Sequence, residues 1–159
     1  MKLKTRDIVY IGFIAALCAV ATTIRIEIPG GAMVHLGSAA LFTTSILFGG
    51  LYGGLGAAIG SALFDLFGGH TQYIVFSFFI KGIAGFIVGG MTAGYLHPSI
   101  NKPTASFSRI LVALIIGAIW TAFGYFIAWW FVLNSAAVAA SKIQYSLITS
   151  AAGDRKSVV

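Results

Sequence analysis

From Ile110 to Leu133 the chain runs without one charged side chain, and similar apolar runs recur along most of its length. Lipid offers the backbone no hydrogen-bond partners, so a chain of this kind can cross a membrane only as helices or as a closed barrel. Barrel strands alternate apolar and polar residues, and these runs do not alternate. Charged residues make up 9% of the chain and its mean hydropathy is +0.96, whereas an ordinary soluble domain carries about 25% charge. The expectation is an all-α, polytopic membrane protein. At 159 residues, it forms one transmembrane domain over 1–159, with no room for a separate soluble nucleotide-binding domain.

The net charge of +6 and pI near 9.7 raise the question of nucleic acid, and position answers it. The basic residues lie at the ends of the apolar runs and in the breaks between them, the pattern of cytoplasmic loops. No nucleic-acid partner is expected; the partner of these surfaces is the lipid bilayer. Cys18 is the lone cysteine, so no disulfide framework exists. The first run follows Lys2, Lys4 and Arg6, and Ala19-Val20-Ala21 resembles a leader cleavage site. The run is long enough to span, which favours a retained helix.

A span needs roughly 17–25 apolar residues. The runs place helices at about 8–24, 36–48, 51–67, 72–96, 110–133 and 141–152. The second is short for a full crossing, and the sixth meets Asp154-Arg155-Lys156 early. With six helices and the N-terminus inside, the inner side holds Lys2, Lys4, Arg6, Lys102, Arg109, Arg155 and Lys156, and the outer side only Arg25 and Lys142. That asymmetry sets an N-in, C-in orientation. Gly12, Ala15, Ala16 and Ala19 recur at helical spacing on the first helix. They form a small-residue stripe suited to close helix contact, either within the protein or with another subunit.

Ionisable groups at membrane depth are costly and are functional candidates by default. Here they are Glu27, His35, Asp65, His70 and Lys81. In the predicted topology the first four fall at or near the outer ends of helices. Lys81 lies roughly 13 Å along its helix from Gln72 at 1.5 Å per residue. Tyr73, Trp129, Asn134, Gln144 and Tyr145 map to the same half. The Pro/Gly-broken stretch from Glu27 to His35 is read as a loop that covers this mouth. Polarity gathered at one end describes a cup, not a through-pore. Each assignment has a plainer counterpart. Asp65 and Lys81 form an ion pair between adjacent helices, the histidines are solvated loop residues, Glu27 pairs with Arg25, and the tryptophans anchor an interfacial belt.

No HExxH, GxSxG or Walker loop is present. His35, His70 and His97 lack metal-ligand spacing, so neither an enzyme nor a metal or cofactor is expected. The stretches IPGGAMVHLG, LFGGLYGGLGAAIGSALFDLFGGH and FFIKGIAGFIVGG resemble the substrate-binding S components of energy-coupling factor (ECF) vitamin transporters. The similarity is specific over 8–96 and extends to the last two helices by layout.

The resemblance implies a six-helix receptor that takes a water-soluble vitamin from outside. It implies partnership with a transmembrane coupling (T) subunit and two cytoplasmic ATPases, and reorientation in the membrane for release. It places the coupling contact on Ala15 and Ala19 and the gate on Glu27 to His35. GSALFDLFGGH and FIKG are most similar to the branch handling hydroxymethylpyrimidine or pyridoxine. Pantothenate, riboflavin and folate relatives share the layout. Lys2 stands where metal-transporting relatives carry a histidine, which counts against a metal substrate. The competing class is a membrane facilitator that needs no ATPase.

Overall fold

A computed structural model describes residues 4–28, 32–95 and 105–133. The elements are α1 (Thr5–Thr23), β1 (Arg25–Ile28), β2 (Ala32–His35), α2 (Gly37–Phe48), α3 (Gly50–Phe67), a 3-10 turn (Thr71–Tyr73), α4 (Ile74–Thr92) and α5 (Phe107–Leu133). Among the described residues, α1, α3, α5 and the segment Thr71–Thr92 are long and apolar enough to cross a membrane. The sixth predicted helix, 141–152, lies outside the described residues.

α1 starts three residues earlier than the apolar run suggests. Asp7 makes this possible: its Oδ2 accepts the backbone N–H of Lys4 at 2.8 Å, satisfying a donor that the helix N-terminus leaves without a partner. Its Oδ1 accepts from the Tyr52 hydroxyl at 2.9 Å, which ties the start of α1 to α3. The end of the bundle opposite the hairpin therefore carries a polar contact that the apolar reading of that half left out.

The stretch after α1 is not an irregular loop. Arg25–Ile28 and Ala32–His35 pair antiparallel with Arg25 opposite His35 and Ile28 opposite Ala32, and Leu36 N–H donates to Ile24 C=O at 3.2 Å to close the base. The alternation Arg-Ile-Glu-Ile carries the strand pattern. Pro29-Gly30-Gly31 dominates a reading by composition and hides it. Glu27 and His35 therefore stand on strands of a hairpin.

α2 has 12 residues, about 18 Å of helix, too short to span. It stops at Gly49, whose φ of 87° is one that side-chain-bearing residues avoid, and α3 starts at the next residue. α3 is the most enclosed span, 50% buried against 17% for α5. On one side it receives Ile14, Ala15 and Cys18 of α1, part of a core completed by Ile11, Leu41, Tyr52 and Ala57. On the other side it meets α4 backbone to backbone. A Cβ at Gly89 would lie 2.5 Å from Gly49 C and Gly50 N. The turn after α4 also supplies acceptors to the start of α3: Gly50 N–H donates to Gly94 C=O at 2.9 Å and Leu51 N–H to Tyr95 C=O at 3.0 Å. α4 ends at Thr92, four residues before the hydropathy boundary.

α5 lies along α4, its Trp120 Nε1–H donating to Ile80 C=O at 3.2 Å. Its far face exposes Ile119, Phe123 and Phe131.

Substituting Gly89→Ala should destabilise the fold by about 1–3 kcal/mol, since its methyl group meets backbone that cannot turn aside. Gly12→Ala, where a Cβ has nothing within 4 Å, should be close to neutral. Thermal denaturation of both variants in one detergent measures the difference.

Candidate functional site

Four helices bring polar side chains together in the half of the bundle nearest the hairpin. Lys81 of α4 is 5% exposed. Its Nζ donates to Ser38 Oγ, in the first turn of α2, at 2.8 Å. It also lies 5.4 Å from the centroid of the Tyr125 ring on α5, within cation–π range. Tyr125 OH is 3.2 Å from Ser77 Oγ, one turn from Lys81 on the same face of α4. Ser61 of α3 donates to Ser77 C=O at 3.2 Å, which sets the register of α3 against α4 at this level.

Asp65 sits one turn beyond Ser61 and is 8% exposed. Ser77 is within hydrogen-bonding reach of its carboxylate, and His70 and Lys81 act on it through space. Its Oδ2 is buried without a hydrogen-bond partner. Lys81 donates to Ser38, so among the described residues the two charges share a neighbourhood without forming a pair through Oδ2. The reason is axial position: Asp65 lies one turn beyond the Ser61–Ser77 contact towards the hairpin, and Lys81 one turn beyond it in the opposite direction.

His70, in the turn after α3, is half-buried and stacks on Phe64 with ring centroids 6.3 Å apart and planes 12° apart. Its Nδ1 is also buried without a partner. Such a histidine is held by packing and differs from a solvated loop residue. Tyr73 is half-buried in the 3-10 turn, close enough for the Asp65 charge to act on it. Trp129 lies one turn beyond Tyr125 on α5, the two rings 5.9 Å apart and tilted by 32°, so it belongs to the interior cluster. Trp130 is exposed and keeps the character of a belt residue. Glu27 and His35 are placed at backbone level on β1 and β2. Asn134, Gln144 and Tyr145 lie outside the described residues.

Sequence reasoning missed Ser38, Ser77 and Tyr125. Two carried a signal: Ser77 precedes Lys81 by four residues and Tyr125 precedes Trp129 by four, the spacing that puts side chains on one helix face. Ser38 carried none, since only the packing of α2 brings it to Lys81. Among the described residues no three His, Cys, Asp or Glu side chains converge in a metal-binding group.

The small-residue stripe on α1 divides. Ala15 is 3% exposed and packs on α3, where a Cβ at Gly60 would lie 2.5 Å from its carbonyl oxygen. Gly12 and Ala16 are exposed, as are Val9, Phe13 and Val20 beside them, and Ala19 is half-buried. A residue every fourth position cannot serve the interior and an outside partner equally, because adjacent residues on a helix point about 100° apart. The free face therefore runs through Gly12 and Ala16, not Ala15.

Among the described residues, a buried cation with a single neutral hydrogen-bond partner, an aromatic shelf and an under-satisfied carboxylate together make an arrangement for holding a polar, ring-bearing small molecule. Two comparisons with known proteins bear on this. A protein of Pyrococcus woesei, described only as an uncharacterized protein in the gap 3′ region, is 32% identical over 111 residues, which are 69% of this chain and 68% of its own length. The model of the family described as ECF-type riboflavin transporter, S component, matches residues 2–153. The chain belongs to the ECF transporter S component family: it is a membrane-embedded substrate-binding subunit that works with a T subunit and ATPases.

Proposed function

We propose that this chain captures a water-soluble vitamin or vitamin precursor with a nitrogen heterocycle, hydroxymethylpyrimidine or pyridoxine in the first instance, from outside the cell. The observation that carries this reading is Lys81, a buried cation over the Tyr125 ring that bonds, among the described residues, one serine hydroxyl. An ammonium has three N–H donors, and leaving a charged donor unsatisfied in a low-dielectric interior is costly. A ring nitrogen, hydroxyl or carbonyl of a bound ligand supplies the acceptor, and Tyr125 and Trp129 supply the surface for the ring.

Asp65, His70 and Tyr73 extend the site towards the hairpin. Glu27, His35, Asn134, Gln144 and Tyr145 complete it in a six-helix bundle with both termini inside. The hairpin serves as the gate. Closing it excludes water and strengthens each polar contact beneath. The chain supplies recognition. ATP hydrolysis belongs to the two partner ATPases, and the coupling subunit seats on the Gly12/Ala16 face of α1. Riboflavin is the second reading, favoured by the description of the matching family.

Lys81→Met should weaken binding of the vitamin by about 1–3 kcal/mol, read by isothermal titration on the purified protein; unchanged affinity in a folded variant would reduce Lys81 to a structural role. Ala16→Trp should abolish uptake in cells while leaving vitamin binding intact, because a large side chain prevents close helix approach. Ala15→Trp should instead lower the thermal stability of the isolated subunit, since it faces α3. Under mild detergent the chain should bring down a coupling subunit and ATPases. Transport by the chain alone in liposomes would establish the facilitator reading in its place.

A further inference from the structure

Among the described residues the site has two poles that the protein leaves incompletely satisfied. At one, Lys81 Nζ offers donors and has Ser38 Oγ as its hydrogen-bond partner. At the other, Asp65 Oδ2 is a buried acceptor with no hydrogen-bond partner, and His70 Nδ1 beside it is buried and unpartnered as well. Asp65 is 8% exposed, and an unpartnered carboxylate oxygen so far from solvent is unfavourable unless something donates to it.

The poles lie at different depths. Ser61 of α3 meets Ser77 of α4; Asp65 follows Ser61 by one turn towards the hairpin, and Lys81 follows Ser77 by one turn in the opposite direction, each turn about 6 Å of helix axis. Tyr125 links the two levels, its ring under Lys81 and its hydroxyl against Ser77. A flat ligand lying on Tyr125 therefore has one edge at Lys81 and the other at Asp65.

We propose that the site is polarised: Asp65 accepts a hydrogen bond from an N–H or O–H donor on one edge of the ligand ring, while Lys81 donates to an acceptor on the opposite edge. This rests on the reading of the chain as a vitamin-binding subunit and adds the rule by which it selects among vitamins. An aminopyrimidine meets the rule through its amino group, and a flavin through its ring imide N–H. A heterocycle with acceptors on both edges fails it, because it leaves Asp65 facing a lone pair. Discrimination of this kind is strong because the wrong ligand leaves a buried group unpaired.

The test compares each ligand with a partner stripped of its ring-edge donors: hydroxymethylpyrimidine against the ring lacking its amino group and O-methylated at its hydroxymethyl, pyridoxine against its fully O-methylated form, and riboflavin against its imide N-methyl derivative. Each is titrated into the full chain and into Asp65→Asn and Lys81→Met variants. For whichever parent binds, its donor-less partner should bind the wild-type protein about 10–100-fold more weakly, the range for a hydrogen bond to a charged group. Asp65→Asn should weaken the parent by a similar factor and leave the donor-less partner unchanged, whereas Lys81→Met should weaken both alike.

Equal binding of parent and donor-less partner by the wild-type protein overturns the proposal, and this arm stands even where Asp65→Asn does not fold. An equal loss of both ligands in a folded Asp65→Asn variant also overturns it and makes Asp65 a support of the bundle. Failure of the wild-type protein to bind hydroxymethylpyrimidine, pyridoxine or riboflavin is a different result: it removes the vitamin reading itself, and the polarity rule with it.

Discussion

The close approach of α3 and α4 is the contact on which everything else in this protein depends. Glycines let the two backbones touch at Gly49 and Gly89, and the turn after α4 holds the first N–H groups of α3 through Gly94 and Tyr95. Packing this tight fixes axial register, because a shift of one residue would drive carbonyls into Cα atoms. Register in turn decides that Ser61 meets Ser77, that Asp65 falls one turn nearer the hairpin, and that Lys81 lies one turn deeper. A looser interface of leucines would hold the helices together without specifying that arrangement. In lipid, where apolar surface gains little from helix association, backbone proximity and dispersion take over that role.

Within this frame the polar groups divide into those that satisfy one another and those that do not. At the end opposite the hairpin, Asp7 accepts from both Tyr52 and the backbone of Lys4, and the contact is closed. Thr22 and Thr44 return their hydroxyls to carbonyls of their own helices. The cluster of Lys81, Asp65 and His70 is different: it retains donors and acceptors after all contacts among the described residues are made. A folded protein tolerates this where the bound state makes up the deficit, and such deficits concentrate at sites of recognition. Ser45 Oγ, towards the other end of α2, is also buried without a partner, so the deficit is densest near the hairpin without being confined to it.

The same logic explains why α1 is used on two faces. Ile14, Ala15 and Cys18 are committed to α3, so their small size serves the interior. Gly12 and Ala16 lie on the face left over and keep it flat. A spacing pattern alone does not distinguish these uses, because both need small residues every fourth position.

Much of this was legible in the chain. The scarcity of charge and the length of the apolar runs determined helices in a membrane, because no other local structure there satisfies its own backbone. Lys81 and Asp65 stood out for the related reason that burying them requires partners. The strands around Pro29-Gly30-Gly31 were not apparent, since two short segments are strands only by virtue of pairing with each other. Nor were Ser38 and Tyr125, ordinary residues until the folding of α2 and α5 brings them to Lys81. That Lys81 bonds Ser38 while Asp65 Oδ2 stays without a partner was decided by tertiary structure alone. Local sequence sets which groups a helix face carries, whereas the depth at which two faces meet is a property of their packing.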